Sequence, residues 1–397
     1  MKRRSSRSSV GLLWTCGACL RLTILSLPPV ISLIQRDLHL SGTQIGLLSG
    51  LPVVVFAIFA APGSIVIARV GVRGALLFGL AVTLSGNLLR AGVSDAWQLY
   101  ATTALMSAGV AVMQPAMAAA VREWMPARPA FGTAVYTNGL IVGEIIPVAV
   151  TLPLLLPLLD ENWRWALGVW SLPLIATVIA VVLFVSPTSA NTAKNHAGSW
   201  LPQWNSGLNW RIGMTLGSAM STYFCLNGFL PAYLEGRGHH ELISEALTAL
   251  NAGQLPSSLL LLLTADKLQG KRWPYLVLGI LFSCSVIGVV TSASTWTALW
   301  AALAGFSAGA ALPLGLALAP LLCDNPKDVP LASAAAFAIG YGFAMLISVL
   351  SGAVWDLVGN VNAAFIVILV GSFPILIAAP RFARAPKAIH AEISALR

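Results

Sequence analysis

The chain has 397 residues and a formal net charge of +9, yet only 9 % of it is charged, 57 % is hydrophobic and its mean hydropathy is +0.82. A soluble protein carries roughly a quarter of its residues as charges, so this chain lacks the means to face water and is excluded as an ordinary soluble enzyme; lipid must solvate most of its surface. The basic residues sit between apolar blocks and form no stripe with interleaved aromatics, which excludes a nucleic-acid surface.

Windows of about twenty residues with few charges mark membrane spans. In chain order they predict helices near 11–34, 44–67, 73–93, 97–120, 130–157, 163–185, 210–234, 244–268, 273–292, 295–322, 331–356 and 359–380. The opening MKRRSSRSS followed by an apolar run resembles a signal peptide, but the run reaches Ile34, contains Arg21 and lacks a small-residue cleavage site, so it reads as the first span. Long continuous runs, rather than short alternating strands, exclude a β-barrel. The five cysteines lie in apolar stretches, and Cys16-Gly-Ala-Cys19 has neither a second pair nor a nearby His; all five read as buried small hydrophobes.

With the N-terminus on the cytoplasmic side, eighteen of the 23 Lys and Arg fall in cytoplasmic segments, and Arg36, Arg164 and Arg237 fall outside. The positive-inside rule then places both termini in the cytoplasm. The longest polar stretch, 186–209, is a linker between an N-terminal six-helix unit (1–185) and a C-terminal one (210–380), with a cytoplasmic tail at 381–397. A weak internal repeat agrees: the basic turns Ala68-Arg-Val-Gly-Val-Arg73 and Asp266-Lys-Leu-Gln-Gly-Lys-Arg272 follow the second and eighth predicted helices.

These turns resemble the Gly-Asp-Arg-Gly-Arg type motif of the major facilitator superfamily, the first copy without its acidic residue and the second nearer the pattern. Further stretches resemble the cyanate and nitroimidazole porter family within it. They are Leu20-Arg21 with Pro28, Gly50-Leu-Pro52, Gly86-Asn-Leu-Leu-Arg90, Gly228-Phe-Leu-Pro-Ala-Tyr-Leu234, Gly305 to Pro313, and Gly340-Tyr341 with Gly352 and Asp356. Two positions depart from that pattern: Glu144 stands where a small residue is expected, and Phe337 where Gln is expected. The resemblance implies an all-α membrane protein, a twelve-helix bundle of two six-helix halves.

A cation at bilayer depth costs at least ~2.5–3.5 kcal/mol, so it is there for a counter-charge, a watery cavity or a ligand. Arg21 falls near mid-span and has two readings, an ion pair with Glu144 or a guanidinium that binds an anionic or strongly dipolar solute through paired hydrogen bonds. Arg90 falls in the outer third of its helix, either binding substrate or snorkelling to the interface. Glu144 is the single acid at mid-span, either counter-ion to Arg21 or the proton-coupling group. Gln114, Tyr136, Asn138, Asn227, Asn251, Gln254 and Tyr341 are polar residues inside spans, either contacting substrate or joining helices; Asn227 and Tyr341 lie in the family-like motifs. His239-His240 beside Glu235, Glu241 and Glu245 reads as a solvated loop rather than a metal site. Gly46-Leu-Leu-Ser-Gly50 and Gly305-Phe-Ser-Ala-Gly309 suit close helix packing.

The expected function is secondary transport of a small anionic or polar solute, cyanate-like, an organic anion or nitroimidazole-like, by alternating access across a bacterial inner membrane. Proton-driven efflux of drug-like compounds is the alternative. No P-loop is present, all five His fall outside the spans, and nothing resembles a selectivity filter, so neither an enzyme nor a channel is expected. The expected partners are a small-molecule substrate and the bilayer, with no cofactor, no metal and no nucleic acid, and the chain is expected to act as a monomer.

Overall fold

A computed structural model describes residues 6–185, 206–268, 271–323 and 329–378. Among them it is all helical: α1 (Ser6–Leu25), α2 (Ile31–Leu38), α3 (Gly42–Arg90), α4 (Ala96–Trp124), α5 (Pro129–Val150), α6 (Leu156–Leu158), α7 (Trp163–Val169), α8 (Ser171–Phe184), α9 (Gly207–Glu235), α10 (Leu242–Ala252), α11 (Gln254–Leu268), α12 (Trp273–Thr291), α13 (Thr297–Leu316), α14 (Leu318–Leu322), α15 (Val329–Val358), α16 (Asn362–Ser372) and α17 (Pro374–Ala378). Nine helical stretches in the described residues are long and apolar enough to cross a membrane. Three more fall outside that set: α9, rich in Ser, Thr, Asn and Tyr; the α10–α11 pair, broken at Gly253; and the shorter apolar stretch Asn362–Ala378.

Proline divides several of the continuous spans read from the sequence. A proline carries no N–H, so the carbonyl four residues earlier loses its helical donor. Pro28 and Pro29 separate α1 from α2, Pro173 follows the break between α7 and α8, Pro256 the break between α10 and α11, and Pro374 opens α17. Neighbouring helices re-satisfy such freed groups, which is how a bilayer-embedded helix tolerates proline. The second and third predicted spans run on as α3, which reverses at Gly71, whose φ of 73° suits glycine. Helix α9 begins at Gly207 and Leu208 packs on the core; residues 186–205, the greater part of the expected linker, lie outside the described residues.

Helices α1 and α9 are the most enclosed. Before residue 186, α1 packs on α5 and α3 on α4 and α8; after residue 206, α9 packs on α15, and α13 on α10 and α12. The outer faces carry exposed Leu172, Leu183, Ile280 and Ile366, a surface suited to lipid. Of the cysteines, Cys16, Cys19 and Cys225 are buried, but Cys284 is exposed on α12 and Cys323 half-buried. Periodicity in so uniformly apolar a helix does not show which side meets lipid, and here the buried reading of Cys284 is corrected.

The two segments meet along α3–α15, α5–α10 and the end of α2 with α9. A Cβ at Gly46 would strike the Ser348 carbonyl and one at Gly50 the Met345 sulfur, so this small-residue spacing lets α3 lie against α15. Ser348 Oγ donates to the Gly46 carbonyl at 2.7 Å, Ser244 Oγ to the Val148 carbonyl at 3.1 Å, and Arg36 pairs with Glu235 at 3.0 Å. Gln254 of α11 reaches Glu144 of α5 as a further contact between the two segments.

Candidate functional site

The site is set by glycine. A Cβ at Gly17 would collide with the Tyr136 carbonyl, one at Gly139 with the Trp14 carbonyl and one at Gly143 with the Ala18 carbonyl, so α1 and α5 approach to backbone contact. Arg21 follows Gly17 by one helical turn and Glu144 follows Gly143 directly, so the close approach delivers both onto one seam. Arg21 Nε lies 3.3 Å from Glu144 Oε1, the Arg21 side chain 14 % exposed and that of Glu144 only 3 %. The second oxygen, Oε2, accepts from Gln254 Nε2 at 2.5 Å. Gln254 opens α11 just beyond the Gly253 break, and Gly309 of α13 packs on its backbone.

Behind the carboxylate lies a chain of neutral groups. The Tyr223 hydroxyl sits between Glu144 and Asn251 and donates to Asn251 Oδ1 at 2.6 Å. Asn251 Nδ2 donates to Asn227 Oδ1 at 3.1 Å and to the Leu247 carbonyl at 2.8 Å, and Asn227 Nδ2 donates to the Tyr223 carbonyl at 3.0 Å. An aromatic wall completes the surroundings. The Arg21 guanidinium carbon is 5.9 Å from the Phe56 ring centre, Phe56 meets Tyr341 edge-on at 6.5 Å, and Tyr341 stacks on Phe337 at 5.6 Å. A guanidinium over an aromatic face is favoured by the ring quadrupole.

Arg21 is incompletely satisfied. Nε is at ion-pair distance from Glu144 without hydrogen-bond geometry, and Nη1 has no hydrogen-bond partner among the described residues. A guanidinium offers five donors in a planar fork, so free donors beside a partly open face can take a second acceptor.

Of the residues picked from the sequence, Arg21, Glu144, Asn227, Asn251, Gln254 and Tyr341 come together here. Asn138 instead accepts from Trp14 Nε1 at 2.9 Å, bonding α5 to α1. Gln114 and Tyr136 are half-buried on α4 and α5. Arg90 stands apart, wholly buried, with Nη1 3.0 Å from the Thr23 carbonyl; it does not reach an interface. Tyr223 and Phe56 were missed, although Tyr223 precedes Asn227 by one turn and so shares its face. His239 is half-buried and lies 3.4 Å from Glu241. A cavity of about 420 Å³ lies away from Arg21, at the Arg36 end, lined by residues such as Ser32, Arg36, Leu152, Glu235 and Ser244. The acidic end of the second basic turn, Asp266, and the Gln269-Gly270 pair fall outside the residues whose side chains are described.

The family model of the Major Facilitator Superfamily matches residues 13–249. The chain belongs to the Major Facilitator Superfamily. It is 25 % identical over 346 residues to the 2-nitroimidazole transporter of Escherichia coli K12, covering 86 % of each chain. It is also 25 % identical over 349 residues to the cyanate transport protein CynX of the same organism, covering 87 % of this chain and 89 % of that one. Its fold is similar to that of the xylose transporter XylE from E. coli in its inward-open conformation, with a TM-score of 0.77, 14 % identity, and coverage of 99 % of this chain and 100 % of the other. The protein is therefore a multi-pass membrane transporter of small solutes and not an enzyme, and its sequence relatives include transporters of the cyanate and nitroimidazole type.

Proposed function

We propose that the protein carries a small anionic or strongly dipolar solute across the inner membrane by alternating access, with Arg21 as the group that takes the solute and Glu144 as its counter-ion in the empty state. The observation that carries this reading is the Arg21 guanidinium, with a buried donor lacking a partner among the described residues, beside a carboxylate held from both segments. An incoming anion offers Arg21 a charge-assisted, two-point contact, and the released carboxylate is then free to accept a proton. Tyr341, Asn227 and Asn251 complete the pocket wall, with Gln114 and Tyr136 facing the same solute path from α4 and α5.

The architecture in this reading is two six-helix bundles, 1–185 and 210–380, twelve spans in all, with both termini cytoplasmic and the Arg36 end outside. The contacts along α3–α15 and α5–α10 support a state closed on the Arg36 side. A second reading, efflux of a planar drug-like compound, is favoured by the Phe56, Tyr341 and Phe337 wall beside Arg21.

The test is uptake into proteoliposomes of labelled cyanate, 2-nitroimidazole and a panel of small organic anions, with and without a proton gradient. Anion uptake is expected to collapse in Arg21→Ala, and Glu144→Gln is expected to abolish the response to the gradient. Wild-type anion uptake by Arg21→Ala, with only neutral aromatic compounds moving, would replace the anion reading with the efflux one.

A further inference from the structure

Arg90 is fully buried, pairs with no acid among the described residues, and its Nε and Nη2 have no hydrogen-bond partner among them. A cation so placed is costly and calls for a specific use. Its reach is set by Gly86, one turn earlier, where an added Cβ would strike the Met106 backbone; α3 therefore lies hard against α4, and Arg90 Nη1 passes Met106 Sδ at 3.0 Å on its way to α1.

What it meets there is a consequence of Pro28. Lacking an N–H, Pro28 cannot donate to the Ile24 carbonyl, and that carbonyl takes the Leu27 N–H instead, at 3.4 Å. Leu27 is the residue whose N–H would otherwise serve Thr23, four residues earlier. The Thr23 carbonyl is thus left without its helical donor, and two side chains supply it: Ser26 Oγ at 2.8 Å and Arg90 Nη1 at 3.0 Å. A cation at a helix C-terminus also meets the negative end of the helix dipole. On the same face of α3, Asn87 donates to the Leu167 carbonyl at 3.0 Å and to Ser171 Oγ at 2.9 Å, across the break between α7 and α8. One turn of α3 therefore holds two broken helices.

We infer that Arg90 is a positioning residue: by capping the broken end of α1 at Thr23 it fixes the turn that carries Arg21, two residues away, and so sets the Arg21–Glu144 pair without touching solute. This rests on the reading of Arg21 as the solute ligand only for its transport consequence, since the pair itself is observed.

The experiment follows the Glu144 carboxyl stretch by infrared titration of full-length protein in nanodiscs, the band being assigned by its loss in Glu144→Gln. Arg21, Gln254 and Tyr223 face that carboxyl and are left intact. Arg90→Met is expected to displace the midpoint by about one pH unit, tenfold in proton affinity. Arg90→Lys, which keeps a donor for Thr23, is expected to retain the wild-type midpoint. The double variant Arg90→Met with Pro28→Ala returns Leu27 to Thr23 and is expected to recover the wild-type midpoint and fold even where Arg90→Met alone does not. An unmoved band in Arg90→Met, a band in Arg90→Lys as displaced as in Met, or a double variant that fails to recover would each overturn the inference. In parallel, cyanate uptake by Arg90→Met is expected to show KM raised about tenfold, the worth of one charge-assisted hydrogen bond, with the maximal rate kept. If Arg21→Ala takes up cyanate and the anion panel as wild type does, the reading of Arg21 fails while the infrared result stands on its own.

Discussion

The Asp356 carboxylate caps a helix that belongs to the other segment of the chain. From near the end of α15 it accepts from the amides of Gly42 at 2.6 Å and Thr43 at 2.8 Å, and from the Thr43 hydroxyl at 2.5 Å. Those amides open α3 and have no partner within the helix, and a carboxylate there meets the positive end of its dipole. The same turn already has a capping box from Ser41 and Gln44, so Asp356 adds a link between segments to a helix start that is complete on its own.

Removing the charge should therefore loosen the seam and leave the helix intact. Asp356→Asn is expected to weaken closure by about 1 kcal/mol, the worth of a cap, which is roughly a fivefold change in the ratio of closed to open forms. A cysteine at Ser348, buried against Gly46, should react about fivefold faster with a maleimide in Asp356→Asn than in wild type. Equal rates would assign Asp356 no part in closure.

The glycines between α1 and α5 predict a steric effect. Gly139→Val places a side chain against the Trp14 backbone and is expected to destabilise the fold by about 1–3 kcal/mol. The readout is the half-life of the detergent-solubilised protein at fixed temperature. Gly11→Ala, where an added Cβ meets nothing within 4 Å, serves as the control and should leave the half-life unchanged.

Much of this was visible in the sequence, and the rest was hidden for identifiable reasons. Apolar blocks gave the helices, and the cost of charge in a bilayer singled out Arg21 and Glu144. Hydropathy reports how far along a span a residue lies but not what covers it, so Arg90 read equally well as snorkelling or binding. Tyr223 went unnoticed because α9 is rich in Ser, Thr and Asn, and its hydroxyl acquires meaning only when α5 and α10 bring Glu144 and Asn251 to it. Asp356 stood only as part of a family-like stretch, because its partner amides lie more than 300 residues away in sequence.

Breaking the central pair from one side should be worse than removing it. Arg21→Ala leaves Glu144 buried with Gln254 and Tyr223 as its partners among the described residues, and is expected to cost about 3 kcal/mol, the low end for a stranded buried charge. The double variant Arg21→Ala with Glu144→Ala should regain most of that. Thermal inactivation of the three proteins in one detergent checks it, and additive losses would mean that the pair is not coupled.

Orientation can be read with an impermeant thiol reagent in a cysteine-free background. A cysteine at His240, exposed in the turn after α9, should label in intact cells. One at exposed Lys267, near the end of α11, should label only after the membrane is opened. The reverse pattern would invert the proposed topology.

Glu144 is divided between Arg21 on its own side of the chain and Gln254 on the other, so one carboxylate reports to both. On the proposed function, a solute that competes with it for Arg21 would change how firmly the segments hold together at that point. Linkage makes the influence mutual: whatever free energy the segments gain or lose from solute binding reappears, equal in size, as a change in solute affinity when the seam opens. On the proposed function, recognition and gating share a single side chain, so a substitution at Glu144 should alter both together.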